Sequence, residues 1–361
     1  MKILDIAAVA TAAFQTVAAA PTTTSEHHDG GRPKGLGDLA KKAGLLYFGT
    51  AIDNVAFNDS RYLSIAYDKH EFSQVTPSNG QKWMYTEPSQ GVFNFTAGDQ
   101  VVDPAVRAGQ LLRCHALLWH NQLPDWLTSG TWTREELLDI LENHIKNVVT
   151  NYAPTCYAWD VVNEAFDEDG TLRTTIFSST IGPDYIAHAF RFARKYAPPT
   201  TKLYYNDYNI ETINAKSDAA RALVRSLLSD NSSSSAPLIN GIGLQSHFIA
   251  GSSPSRADQA ANMQAFLALS PNIDVAITEL DVRVELPNDA AKTAQQASDY
   301  ADAVQACVDN APRCVGVTVW DFYDPLSWVP STFPGEGDAT LFWANYTRKP
   351  AYYSVADVLR G

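Results

Sequence analysis

The sequence predicts an α/β chain closed into a single-domain (β/α)8 barrel of the TIM type, and three observations carry that prediction. Short apolar runs alternate with amphipathic stretches of helical period along the chain. About eight such strand-then-helix units fit one uninterrupted span from Gly35 to Gly361. No glycine-rich phosphate loop follows the first apolar run, where Gly49-Thr50-Ala51-Ile52-Asp53 stands, so an open doubly wound sheet ranks second.

In order, the predicted strands cover residues 47–52, 72–76, 110–117, 157–162, 202–205, 241–245, 274–278 and 315–319. Each is a short β-rich run closed by polar or turn residues. Amphipathic segments at 134–150, 185–196, 215–229, 256–269 and 290–310 lie between them. A strand that feeds a helix and returns to a parallel neighbour places the sheet inside and the helices outside. The serine run at 231–236 is short enough for a surface loop within one domain.

The chain has 361 residues, 45% of them hydrophobic, which suffices for one large core. A net charge of −13, with no run of basic residues, argues against a nucleic-acid partner. The aromatic content, with 8 Trp and 16 Tyr, suits stacking on the apolar faces of sugar rings.

Met1-Lys2 precedes an apolar stretch from Ile6 to Ala20 that ends in Ala18-Ala19-Ala20. This reads as a signal peptide over residues 1–20 of a secreted, extracellular protein. The stretch is too short for a membrane span and no longer one follows, so no membrane partner is expected. Residues 21–34 read as a disordered leader, with His27-His28 solvated, and residues 35–361 as the barrel.

Secretion permits disulfides. Cys307 and Cys314 flank a short segment and are expected to pair. Cys114 and Cys156 lie in separate strand-like segments and are expected to be buried free thiols. No cysteine or histidine spacing suits a metal, so neither metal nor cofactor is expected. Sequons at Asn58, Asn94, Asn231 and Asn345 suit a glycoprotein, and a monomer is expected.

In such barrels the chemistry sits at the C-terminal strand ends. Polar residues gather there: Asn79 and Lys82-Trp83, then His115, Trp119 and His120, then Asn163-Glu164 and Asn206-Asp207. Gln245 and His247, Glu279 with Asp281 beyond it, and Trp320 complete the ring. Glu164 and Glu279 close strands on opposite sides of a small barrel, so their side chains can converge. Retaining glycoside hydrolysis needs such a pair, one carboxyl to protonate the leaving oxygen and one carboxylate to attack, about 5–5.5 Å apart.

Trp159-Asp160-Val161-Val162-Asn163-Glu164-Ala165 and Ile277-Thr278-Glu279-Leu280-Asp281 closely resemble the two signatures of glycoside hydrolase family 10, chiefly endo-β-1,4-xylanases. Further similarity lies in Tyr47-Phe48-Gly49-Thr50-Ala51, His115-Ala116-Leu117-Leu118-Trp119-His120, Tyr204-Tyr205-Asn206-Asp207-Tyr208-Asn209 and Gly243-Leu244-Gln245-Ser246-His247. The resemblance runs from about Leu36 to Tyr352. It implies plant cell-wall xylan as substrate, Glu164 as acid/base and Glu279 as nucleophile. Asn163 would hydrogen-bond the sugar 2-hydroxyl, and His247 would orient Glu279 with Asp281 behind it. Asn79, Lys82, His115 and Gln245 would hold hydroxyls, while Trp119, Trp320 and Trp328 would form walls.

The match breaks at three places. Ser78 stands where the family usually has Glu, Cys114 where Gly is usual, and Asp321-Phe322-Tyr323-Asp324-Pro325 where small residues follow the tryptophan. A longer loop, 331–338, follows. These changes leave room for a relative retuned to a plant saponin such as tomatine, releasing an oligosaccharide. An inactive carbohydrate-binding barrel ranks lower, because a binder needs no carboxylate pair. A Schiff-base aldolase would have to use Lys82.

Overall fold

A computed structural model describes residues 35–230 and 236–361. The expected signal peptide, the leader and the sequon at Asn231 lie outside the described residues. Eight parallel strands form the sheet: β1 (Tyr47–Ile52), β2 (Gln74–Pro77), β3 (Leu111–Trp119), β4 (Cys156–Asn163), β5 (Lys202–Asp207), β6 (Gly241–Leu244), β7 (Asp274–Glu285) and β8 (Cys314–Val319). Each pairs with the next, and β8 pairs back to β1 with Tyr47 opposite Gly316, which closes the barrel.

Helices cover the outside: α1 (Leu36–Lys42), α2 (Ser60–Ala66), α3 (Thr96–Ala108), α4 (Arg134–Tyr152), α5 (Tyr185–Tyr196), α6 (Ala215–Leu228), α7 (Arg256–Leu267), α8 (Ala290–Val308) and α9 (Pro350–Arg360). Their starts are encoded locally. Thr133 and Glu136 close a capping box on α4, and Asn214 with Ser217 does the same for α6. Apolar faces such as Leu137, Leu141, Ile145 and Val148 of α4 are fully buried against the strands.

The barrel interior is filled by large residues set against glycines. A β-carbon on Gly316 would come within 2.6 Å of the Tyr47 ring, and one on Gly241 within 2.3 Å of the Tyr204 ring. Glycine at these positions is what lets the two tyrosines occupy the closed interior. Arg113 stacks on the Tyr204 ring, 4.3 Å from its centre, and makes a buried ion pair with Asp160.

The strand ends differ from the sequence-based bounds where pairing continues. β7 runs seven residues past Thr278, because a short parallel strand at His247–Ile249 lies beside Asp281–Arg283 and Glu336–Gly337 pairs antiparallel with Glu285 and Val284. Asp281 therefore belongs to β7 and does not lie beyond it. Local periodicity cannot see partners supplied from elsewhere in the chain.

The cysteines require a correction. Cys307 and Cys314 form a disulfide as expected, but Cys114 and Cys156 are bonded to each other, with Cα atoms 5.8 Å apart, and are not free thiols. They lie on the adjacent strands β3 and β4, where Leu112 pairs with Cys156 and Cys114 with Trp159. A separation of 42 residues hid that neighbourhood.

Candidate active site

A cavity of about 720 Å³ opens at the C-terminal strand ends. Glu164, Glu279, Asn79, Lys82, His115, Trp119, Asn163, Gln245, His247, Trp320 and Trp328 all line it. Asp281 sits just behind, reached through His247 and Trp328.

Glu164 directly follows β4 and adopts φ +58°, a left-handed conformation that is strained for a residue bearing a β-carbon. Trp119 Nε1 donates to its Oε2 at 2.8 Å, while Gln245 Nε2 and Asn163 Nδ2 donate to Oε1 at 2.9 and 3.1 Å. These donors come from β3, the end of β6 and β4, so three strand ends aim one side chain into the cavity.

Glu279, on β7, is 4% exposed. Its Oε1 accepts from Asn206 Nδ2 at 2.7 Å, and His247 Nε2 lies 3.3 Å from Oε2. Burial opposes its charge, but the His247 hydrogen bond and the charges of His115 and His247 outweigh burial. The carboxyl is held below the usual range and ionised.

His247 Nδ1 lies 3.0 Å from Asp281 Oδ2, which also accepts from Trp328 Nε1 at 2.7 Å. Burial disfavours the imidazolium, yet Asp281 and Glu279 together push the His247 pKa up to about 10. A cation is thus fixed against Glu279 at neutral pH. His115 is anchored likewise, with Nδ1 3.0 Å from Asp160 Oδ2, and Arg113 holds Asp160 from below.

Lys82 donates to Gln122 Oε1 at 2.6 Å and to Asn79 Oδ1 at 3.0 Å. Burial lowers its pKa to about 8, against the pull of Glu279, Glu164 and Asp53. Trp320 meets His115 edge-on at 5.5 Å, and Trp328 meets His247 at 4.9 Å, which gives the cavity firm aromatic sides.

Sequence reasoning missed several participants. Asn206, noted only as a polar strand end, ties Asn163 to Glu279. Gln122, at φ +47°, carries Lys82. Tyr208, Asn209, Arg283 and Phe333 also line the cavity. Position at or just past the end of β5, within the run 204–209, was the signal available for Asn206, Tyr208 and Asn209.

The loop after β8 is built into this wall. Leu326, Thr332 and Phe333 line the cavity, Phe333 packs edge-on against Trp328 at 5.4 Å, and the Arg283 guanidinium covers its ring at 4.1 Å. Among the described residues, no group of three His, Cys, Asp or Glu side chains could hold a metal ion. No described helix is long and apolar enough to cross a membrane.

An eight-stranded barrel whose strand ends bring two glutamates into one polar, tryptophan-walled cleft has the architecture of a glycoside hydrolase. Comparison with known proteins narrows that class. The family model for glycosyl hydrolase family 10 matches residues 35–358. Endo-1,4-beta-xylanase D of Talaromyces funiculosus is 51% identical over 320 residues, covering 89% of this chain and 76% of that one. An endo-1,4-beta-xylanase of Agaricus bisporus is 47% identical over 89% of this chain and 93% of its own. The structure of Penicillium canescens endo-1,4-beta-xylanase XylE superposes with a TM-score of 0.86 at 45% identity, covering 91% of this chain and 98% of that one. A Bispora xylanase solved with xylobiose gives 0.85 at 44% identity, covering 90% and 99%. The chain belongs to glycosyl hydrolase family 10.

Proposed function

We propose that the protein is an extracellular endo-1,4-β-xylanase that cleaves internal bonds of plant cell-wall xylan with retention. The observation that carries this reading is the unequal treatment of the two glutamates. Glu279 is held as an anion by His247 and Asn206, whereas Glu164 is positioned by Trp119, Gln245 and Asn163. Glu279, held ionised, suits attack on the anomeric carbon, which leaves proton transfer to the departing oxygen to Glu164, the other glutamate of the cleft.

In the first step a Glu279 oxygen bonds to the anomeric carbon while Glu164 gives its proton to the leaving sugar. In the second, Glu164 takes a proton from water, and the hydroxide displaces Glu279 with a second inversion. Asn163 is placed to hydrogen-bond the 2-hydroxyl as positive charge develops on the ring. Asn79, Lys82, His115 and Gln245 serve hydroxyls, and Trp119, Trp320 and Trp328 exclude water and stack. The cleft serves a monomer working on a neutral polymer, without metal or cofactor.

Secretion is supported by the amino-terminal sequence and by two disulfides, which persist in oxidising compartments. Asn58, Asn94 and Asn345 are exposed, as glycan attachment requires. Incubation with xylan, with products resolved by chromatography and anomeric configuration followed by NMR, tests the activity. Short xylo-oligosaccharides released as the β-anomer support it, while α-anomeric products would overturn retention.

A second reading, a relative retuned to a saponin oligosaccharide, draws on Leu326 and Phe333, which extend the apolar wall toward a bulky aglycone. Release of intact oligosaccharide from tomatine with xylan nearly untouched would favour it.

A further inference from the structure

The cavity holds a carboxylate that the reaction does not use. Asp321 follows β8 by two residues, is 7% exposed and adopts φ +63°. Asp tolerates that conformation through local hydrogen bonds. Here its Oδ1 accepts from the backbone N–H of Phe322 at 2.6 Å and of Tyr323 at 2.9 Å. Oδ2 is engaged differently. It accepts only the Tyr62 hydroxyl from α2, at 3.0 Å. A carboxylate oxygen offers two lone pairs, so Oδ2 keeps one acceptor position in a residue that lines the cavity.

The strand register fixes where that position lies. Thr50 pairs with Val319 and Ile52 with Pro77, so Asp321 comes level with Ile52 and Ser78 one residue beyond, on either side of the β1 end. Ser78 is small and turns its hydroxyl back onto the Ile52 carbonyl at 3.2 Å, which keeps this wall open. The neighbouring Asp53 also lines the cavity and accepts one bond on each oxygen, from Asn79 Nδ2 at 2.9 Å and the Asn54 N–H at 2.8 Å, the first of which ties it to the β2 end. This end of the cleft lies across the glutamates from Tyr208 and Asn209, and Asp321 is its more deeply buried carboxylate. Burial, with Asp53 nearby, pushes the Asp321 carboxyl up to about 7, so above that pH it is an under-solvated anion that a hydroxyl donor would relieve.

We infer that Asp321 is a specificity-determining residue whose carboxylate accepts a hydroxyl hydrogen bond from the sugar unit bound at the β1–β2–β8 end, one unit beyond the sugar attacked by Glu279. The inference rests on the proposed xylan-cleaving function. The alternative is that Asp321 serves only to cap its own turn through Oδ1.

The test compares an aryl β-xyloside, which fills only the position of attack, with an aryl β-xylobioside, whose second sugar reaches Asp321. Asp321→Asn keeps an oxygen for the turn and tolerates the backbone angle while removing the charge. Its KM for the xylobioside is expected to rise about tenfold, with kcat/KM on the xyloside within about twofold. Asp321→Gly relieves the left-handed backbone but strips the Phe322 and Tyr323 N–H groups and the Tyr62 hydroxyl of their acceptor, so it should show the same length-selective rise together with a lower Tm. Equal losses on both substrates, or none on either, would overturn the inference and leave a turn cap. Wild-type protein that cleaves neither substrate would instead sink the xylanase reading, and the inference with it.

Discussion

Asn206 Nδ2 lies 2.7 Å from Glu279 Oε1, and the same nitrogen lies 2.8 Å from Asn163 Oδ1. Asn163 in turn donates to Glu164 Oε1 at 3.1 Å. One chain of amides from β4 and β5 thus connects the two glutamates, and Thr278 Oγ1 locks Asn206 from its other side at 2.7 Å. Side chains locked in this way by one another's hydrogen bonds keep the two carboxyl groups oriented across the strand ends.

Breaking that chain should hurt catalysis more than binding. Asn206→Ala is expected to lower kcat on xylan about tenfold to a hundredfold, since a hydrogen bond to a charged partner is worth about 1.5–3 kcal/mol. KM should move far less. A large KM rise with unchanged kcat, in steady-state kinetics, would show that Asn206 serves substrate binding instead.

The two glutamates should separate by substrate. Glu279→Ala is expected to abolish turnover of every glycoside, because no covalent intermediate forms. Glu164→Ala should lose roughly 10²–10⁴-fold on xylan yet keep activity on aryl xylobiosides whose leaving group needs no proton. Equal loss of both variants on activated substrates would refute the division of roles.

His247 should set the acid limb of the pH profile. The Glu279 carboxyl is held low by His247, and a depressed carboxyl stays ionised until the pH falls through its folded value. His247→Gln removes the cation, so the acid limb of kcat/KM should shift to higher pH. A limb that stays in place would mean that Asn206 and His115 suffice to hold the charge.

The two disulfides should contribute unequally. Cys114–Cys156 closes 42 residues and Cys307–Cys314 only 7, so chain entropy assigns about 4 and about 2 kcal/mol respectively. Replacing the first pair with serine should lower Tm more than replacing the second. The reverse order in thermal melts would show that native packing dominates over the unfolded chain.

The barrel was legible because its signal is local. Alternation of Tyr47–Ile52, the Val161-Val162 run and their fellows with capped amphipathic helices repeats along the chain, and the strand ends name Glu164, Glu279, Asn163 and His247 directly. The contacts between those ends are not local. Cys114 meets Cys156, Asn206 spans to Glu279, and Asp281 joins β7, only because closure places distant strands side by side. The φ +63° of Asp321 and its seat across β1 from Ser78 arise in the same way. Periodicity and residue type determine which elements form and which side chains reach the rim, since both act over a few residues. Partners, register and the number of lone pairs left for a sugar are decided by packing, because each depends on segments tens to hundreds of residues apart.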